Sequence, residues 1–348
     1  MLRYWIIGIA LSACSSFVSA GDWKQVSPAL QPVVEGTAVE FDGKIYLLNG
    51  FTTGVKINPN VSVYDPISDT WEKIGETSVS TGNAVTHNAT VVVDDNIWLI
   101  GGRIGSSPGR VSNTVWIFNI TTRQWKQGPQ LPRPFAGGGA GLVNNKIYLF
   151  GGLDEHAECD VNHHFVLDLN KPTLGWLDIS SDAAMPTARN HFSSVVLNGK
   201  IYAMGGQHGH DRCDIKKSGD LALVHRFDPE TLRWQRMADM PTPQSHAESG
   251  TFAYNQNIFM VGGKTNGNNV VMYDPDIDFW SEITELRLEQ RRLAPVARII
   301  NESIFVFGGG MPFARIPSAD GIRQMLPPEL INSCCCLLYT SPSPRDRG

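Results

Sequence analysis

The chain has 348 residues, 42% of them hydrophobic, which is enough for one large domain with a substantial core. Its formal net charge is −5 and it contains no basic run. That excludes the clustered Lys and Arg by which proteins displace counterions from nucleic acid.

Residues 1–20 read as an export signal. Arg3 supplies a positive start, and Tyr4 to Leu11 is an apolar stretch too short to span a bilayer. Two processing sites follow. Leu11-Ser12-Ala13-Cys14 has the form of a lipobox, whose cysteine would carry a lipid anchor, and Val18-Ser19-Ala20 has the small-x-small form of an ordinary signal-peptidase site. Either reading places the domain outside the cytoplasm, whether periplasmic, outer-membrane-anchored or extracellular, with no transmembrane segment.

From Trp23 onward the chain repeats. Trp23, Trp71, Trp125, Trp176, Trp234 and Trp280 are each followed, 26, 30, 26, 29, 28 and 28 residues later, by Asn49-Gly50, Gly101-Gly102, Gly151-Gly152, Gly205-Gly206, Gly262-Gly263 and Gly308-Gly309. Four strand signals fill each period, and the fourth repeat shows them best. His191 to Leu197 turns at Asn198-Gly199 into Lys200 to Met204, which ends on the glycine doublet. Ala222 to Phe227 closes on Asp228-Pro229, a turn opener, and Trp234 marks the fourth strand. Tyr64-Asp65-Pro66 and Tyr273-Asp274-Pro275 repeat the third signal, while Leu167-Asp168-Leu169 departs from it.

A period near ~50 residues with this order of doublet, aromatic and tryptophan resembles the kelch repeat, over residues 23–310. The resemblance implies an all-β, six-bladed β-propeller spanning 21–335. Trp23 precedes any complete repeat, so the N-terminal strand is expected to close the ring as strand four of the last blade; a seven-bladed parent is the alternative. The sixth repeat shows only two strand signals and is expected to be incomplete. Residues 336–346, CLLYTSPSPRD, resemble a translated sequencing adapter, so 336–348 are set apart from the fold, a genuine Cys-rich tail being the weaker reading.

The chemistry gathers on one rim. Eight of nine histidines lie between 156 and 246. In a four-stranded antiparallel blade the strand 2–3 loop and the strand 4–1 loop emerge together. That places Gln207, His208, His210, Asp211 and Cys213 beside Arg189, Asn190, His191, His246 and Glu248. Aligned on the strand-two isoleucines, the start of the innermost strand carries Glu35, His87, Gly137, His191, Glu248 and Ala294, a ring around the central opening. Four ligands from opposite sides of that ring are too far apart for ~2 Å metal bonds. His208, His210 and Asp211 are the better metal candidates, yet close histidines in a loop are commonly solvated, and no metal or other cofactor is assigned. Cys159 and Cys213 share a loop position in adjacent repeats and are expected to form a disulfide in an exported protein.

The expected function is a binding module taking a glycan, or else a protein, at this rim. The alternative is a carbohydrate-active enzyme, because exported kelch propellers include sugar mutarotase/epimerases and galactose oxidase-like copper enzymes. Glu248 or His191 would then shuttle a proton, with Arg189 holding a carboxylate. A copper-radical site is disfavoured, since Tyr46, Tyr64, Tyr148, Tyr202 and Tyr273 fill ordinary repeat positions. An intracellular adaptor is disfavoured by the export signal.

Overall fold

The computed structural model describes residues 22–209, 219–310 and 316–331. The chain is all-β, and among the described residues the main sheets are six four-stranded antiparallel units. The first five are built in sequence order. In repeat four the strands are Ser193–Leu197, Lys200–Met204, Val224–Asp228 and Arg233–Met237. The first two strands are joined by Asn198-Gly199 with φ of 51° and 70°, the paired positive values of a type I′ hairpin, which matches the twist of the flanking strands.

The sixth sheet differs. It pairs Val296–Ile300, Ser303–Phe307 and Gly321–Met325 with the N-terminal strand Lys24–Val26, in register Lys24 to Arg323 and Val26 to Gly321. The sixth repeat therefore has its third strand, contrary to the expectation. Gly-Ile-Arg-Gln-Met lacks the aromatic-Asp-Pro ending, and so the sequence pattern concealed it.

The tryptophans join each sheet to the one before it. The indole Nε1 donates to a backbone carbonyl of the preceding repeat from Trp71 to Ser27, Trp125 to Glu76, Trp176 to Pro129, Trp234 to Ala183 and Trp280 to Ala238, at 2.9–3.2 Å. Trp23 does the same to Arg287, at 3.0 Å, and thereby ties the N-terminal strand to repeat five. The apolar clusters follow the same pattern, each shared by neighbouring sheets. Ile97 and Leu99 pack with Tyr46 and Leu48, and Phe305 and Phe307 of repeat six pack with Ile45 and Tyr64 of repeat one. Each Phe or Leu buried at such a seam contributes about 1.5–3 kcal/mol.

The glycine doublets sit where the seams come closest. A Cβ on Gly101 would lie 2.4 Å from the Phe135 carbonyl oxygen, and one on Gly205 2.3 Å from that of Gln244. Both also have φ near +65°, where any side chain is strained. The second glycine donates its N–H to the next repeat, from Gly102 to Phe135, Gly152 to Arg189, Gly206 to Gln244 and Gly309 to Val33. In repeat one the first position is Asn49, which is fully buried at φ 55°.

Candidate functional site

The innermost strands begin at a collar of left-handed residues. Glu35, His87, Gly137, His191, His246 and Ala294 have φ between 46° and 67°. Their backbones are linked in a chain: Gly137 N–H donates to His87 O, His191 to Gly137, His246 to His191, Ala294 to His246 and Glu35 to Ala294. His246, not Glu248, thus holds the fifth collar position. Repeat five carries two extra residues between collar and strand two, taken up at the 3₁₀ turn Glu248–Gly250, and this shifts the alignment by two positions.

The collar surrounds a small cavity of about 60 Å³, whose lining includes Glu35, His87, His191 and Glu248 among small residues such as Gly137 and Ala294. It runs into a deeper channel through shared walls at Thr37, Asn88 and Ser249. Four expected residues therefore meet at one mouth, closer together than the ring argument allowed. His191 Nδ1 lies 3.1 Å from Glu248 Oε1. Glu35 lies between two imidazoles, with Oε2 3.6 Å from His87 Nε2 and Oε1 3.7 Å from His246 Nε2. The His191 and His246 rings stack at 4.1 Å, and His87 meets His191 edge-on at 5.0 Å. Hydroxyls fix the outer nitrogens: Thr86 Oγ1 and Ser245 Oγ each lie 2.8 Å from the Nδ1 of the histidine that follows.

Enclosure governs the charge here. Burial, reinforced by the Glu248 charge and opposed by Arg103, pushes the Glu35 carboxyl up to about 8. Burial also raises Glu248, with His246 opposing it, although 37% of that side chain is open at the lip. Deeper in the channel, Arg298 donates to the carbonyls of Ser249, Ala297 and Ala38, and burial lowers it to about 10.

The outer rim is a second polar network. Asp160 accepts from Asn190 Nδ2 and from the Gly209 N–H at 3.0 Å, and its Oδ2 lies 3.5 Å from His208 Nδ1. Gln207 bonds Asn190 at 3.2 Å and receives Lys264 Nζ at 3.1 Å, while Asp220 accepts from Lys264, Ser245 and Thr265. This ties repeats three, four and five together. Among the described residues no group of three His, Cys, Asp or Glu is arranged to hold a metal ion. His210, Asp211 and Cys213 lie outside the described residues. Cys159 is disulfide-bonded, and its partner likewise falls outside them, so pairing with Cys213 stays a proposal.

Arg189 is corrected. It is fully buried, and its guanidinium donates to the carbonyls of Gly205 (2.8 Å), Ala203 (3.1 Å) and Thr187 (3.3 Å), with His225 Nδ1 3.3 Å away. It does not face the mouth and is not placed to hold a substrate carboxylate. The position two residues before the collar explains its role: Gln244 donates to Gly262 O and Arg292 to Gly308 O in the same way. These side chains satisfy the carbonyl of the first doublet glycine.

Sequence reasoning missed Asp160, Asp220, Lys264, the two hydroxyls and Arg298. Arg298 had a signal: the register places it level with Val39, Val91, Gly141, Val195 and Phe252, so it is a lone charge at an otherwise uncharged position. The hydroxyls had none, because Thr86 and Ser245 act on the imidazoles only by standing next to them in the chain.

Repeated four-stranded sheets, seam tryptophans and a polar mouth at the start of the inner strands define a β-propeller of repeat type. Comparison with known proteins agrees. The family model described as the KLHDC2/KLHL20/DRC7 Kelch-repeats domain matches residues 87–309, and the chain belongs to the kelch-repeat family. Similar proteins include the Kelch-like protein terF of Aspergillus terreus, 28% identical over 70% of this chain and 52% of its own length. A kelch repeat-containing protein of Arabidopsis thaliana is 22% identical over 71% of this chain and 59% of its own. Human Kelch domain-containing protein 3 is 24% identical over 80% and 78% respectively. The chain thus spans little more than half the length of the first two relatives.

Proposed function

We propose that this chain is an exported binding module, a six-bladed kelch propeller closed by its N-terminal strand, which takes its ligand at the central mouth and the adjoining rim. The Trp23 bond to Arg287 and the strand pairing of Lys24 with Arg323 support the closure. Export rests on residues 1–20. Kelch-repeat membership favours a protein ligand over the glycan preferred from sequence, since propellers of this kind serve as protein-binding modules. One observation carries the reading. Ionisable side chains from repeats one, two, four and five converge on a single cavity whose scaffold fixes their positions.

The test is a thermal-melt screen of the full chain against capped peptides and neutral and acidic sugars, because a ligand that binds only the folded state raises its melting temperature. A shift lost in Glu248→Ala or His208→Ala supports the mouth or rim. A ligand whose shift survives both substitutions overturns the placement.

A second reading is favoured by the paired Glu248 and His191 and by the raised Glu35, which resemble an acid–base pair of a sugar epimerase or mutarotase. It predicts sugar mutarotation that is lost in Glu248→Gln. Without Arg189 at the mouth, that enzyme would have to hold its substrate by other groups.

A further inference from the structure

The binding reading leaves the chemistry of the ligand open, and the following rests on it. We infer that the mouth receives a protonated primary amine on an unbranched apolar stem, the lysine side chain of a protein partner, seated between the carboxylates of Glu35 and Glu248.

The acceptors are arranged for it. An ammonium has three donors and no acceptor, and it can satisfy acceptors approaching from different directions. Glu35 comes from repeat one and Glu248 from repeat five, and both line one cavity. The Glu35 oxygens stand 3.6 and 3.7 Å from the imidazole nitrogens, longer than a hydrogen bond, so a donor placed in the mouth gains from them. With Nδ1 of His87 and of His246 held by hydroxyls, the Nε2 atoms are the ones turned toward Glu35. The rest of the wall is built of small residues, among them Gly36, Gly137, Gly138 and Ala294, which suits a methylene stem better than a branched or planar group.

Charge points the same way. Two enclosed carboxylates repel each other, and Arg103 opposes that repulsion at Glu35 by less than Glu248 contributes to it. An incoming ammonium relieves that repulsion, whereas an anion would add a third negative group. Among the described residues no three His, Cys, Asp or Glu side chains are arranged to hold a metal ion, which leaves an ammonium as the cation the acceptors suit.

The probes are acetyl-Gly-Lys-Gly-amide, its norleucine counterpart of the same stem without charge, and acetate, titrated calorimetrically into the full chain between pH 6 and 9. The lysine probe is expected to bind and the others not. Its affinity should climb by up to tenfold per pH unit and flatten above about 8, as Glu35 gives up its proton. The groups facing that site are Glu248, Arg103, His87, His191 and His246, so the flattening must shift in Glu248→Gln if Glu35 is the titrating group. Glu35→Gln and Glu248→Gln should each weaken the lysine probe at least tenfold without lowering the melting temperature. Norleucine or acetate binding that Glu248→Gln abolishes overturns the amine and leaves the mouth a ligand site. Binding by none of the probes overturns the amine, and a flat thermal-melt screen besides would overturn the binding reading itself.

Discussion

Removing the Arg189 guanidinium should unfold the protein more readily without touching the mouth. Arg189→Met keeps most of the apolar stem but deletes the donors to Gly205, Ala203 and Thr187. A buried carbonyl left without a donor costs about 1–3 kcal/mol, so the gross loss is several kcal/mol. One term offsets it: burial already lowers Arg189 to about 9, so the enclosed charge is itself unfavourable. The expected net loss is about 3 kcal/mol, a fall in melting temperature of roughly 6 °C for a domain of this size. Arg189→Gln should cost only about half as much, because Gln244 shows that a glutamine here still reaches the doublet carbonyl, at 3.0 Å. Urea and thermal unfolding of both variants measure this, and ligand binding by the folded fraction should be unchanged. Wild-type stability in Arg189→Met, together with lost binding, would refute the structural role and return Arg189 to the ligand site.

Three further outcomes follow from the same geometry. Stability should peak near pH 6.5. Buried His164 and His225 are lowered to about 4, so the unfolded chain takes up more protons below 6.5 and stability is lost as pH falls. Glu35 is raised to about 8, so the folded state holds a proton that the unfolded one releases, and stability is lost as pH rises to 8; urea midpoints at unit pH steps read both limbs, and Glu35→Gln should flatten the alkaline one. Asn49→Gly should stabilise by about 1 kcal/mol. It removes a buried amide that has no hydrogen-bond partner among the described residues and relieves the left-handed strain, less the entropy glycine adds to the unfolded chain; an unchanged or lower melting temperature would contradict this. Trp23→Ala should destabilise by about 2–4 kcal/mol, comparably to Trp280→Ala, since both indoles bridge consecutive sheets; a neutral Trp23→Ala would remove the support for closure.

The architecture was legible because it depends on spacing. The tryptophans and doublets repeat wherever neighbouring sheets touch, and a repeated contact leaves a repeated residue. What lacked that signal was hidden. The third strand of repeat six pairs through its backbone, and the partner supplied by the far N-terminus removes the need for an aromatic-Asp-Pro turn. Arg189 was misread for a related reason. A charged residue two positions before the collar looks like site chemistry unless Gln244 and Arg292 are compared at the same position, where their shared bond to a doublet carbonyl shows a packing role. Glu248 was given the right cavity for the wrong reason, since a two-residue insertion moved it off the collar and onto a turn that still leans over the mouth.

The collar separates fold from function within a single chain. Its backbone requirement is the same in every repeat, a left-handed residue, and N–H to carbonyl bonds link these residues from His87 round to Glu35. Gly137 and Ala294 meet that requirement with no side chain or only a methyl group. The imidazoles of His87, His191 and His246 and the carboxyl of Glu35 are therefore not needed to form the collar. Glycine or alanine at those positions should leave the sheets and seams intact, and glycine should even relieve the left-handed strain. Burying four titratable groups where the scaffold needs none costs stability, as the raised Glu35 shows. Such a cost is to be expected where the side chains meet something other than the protein itself.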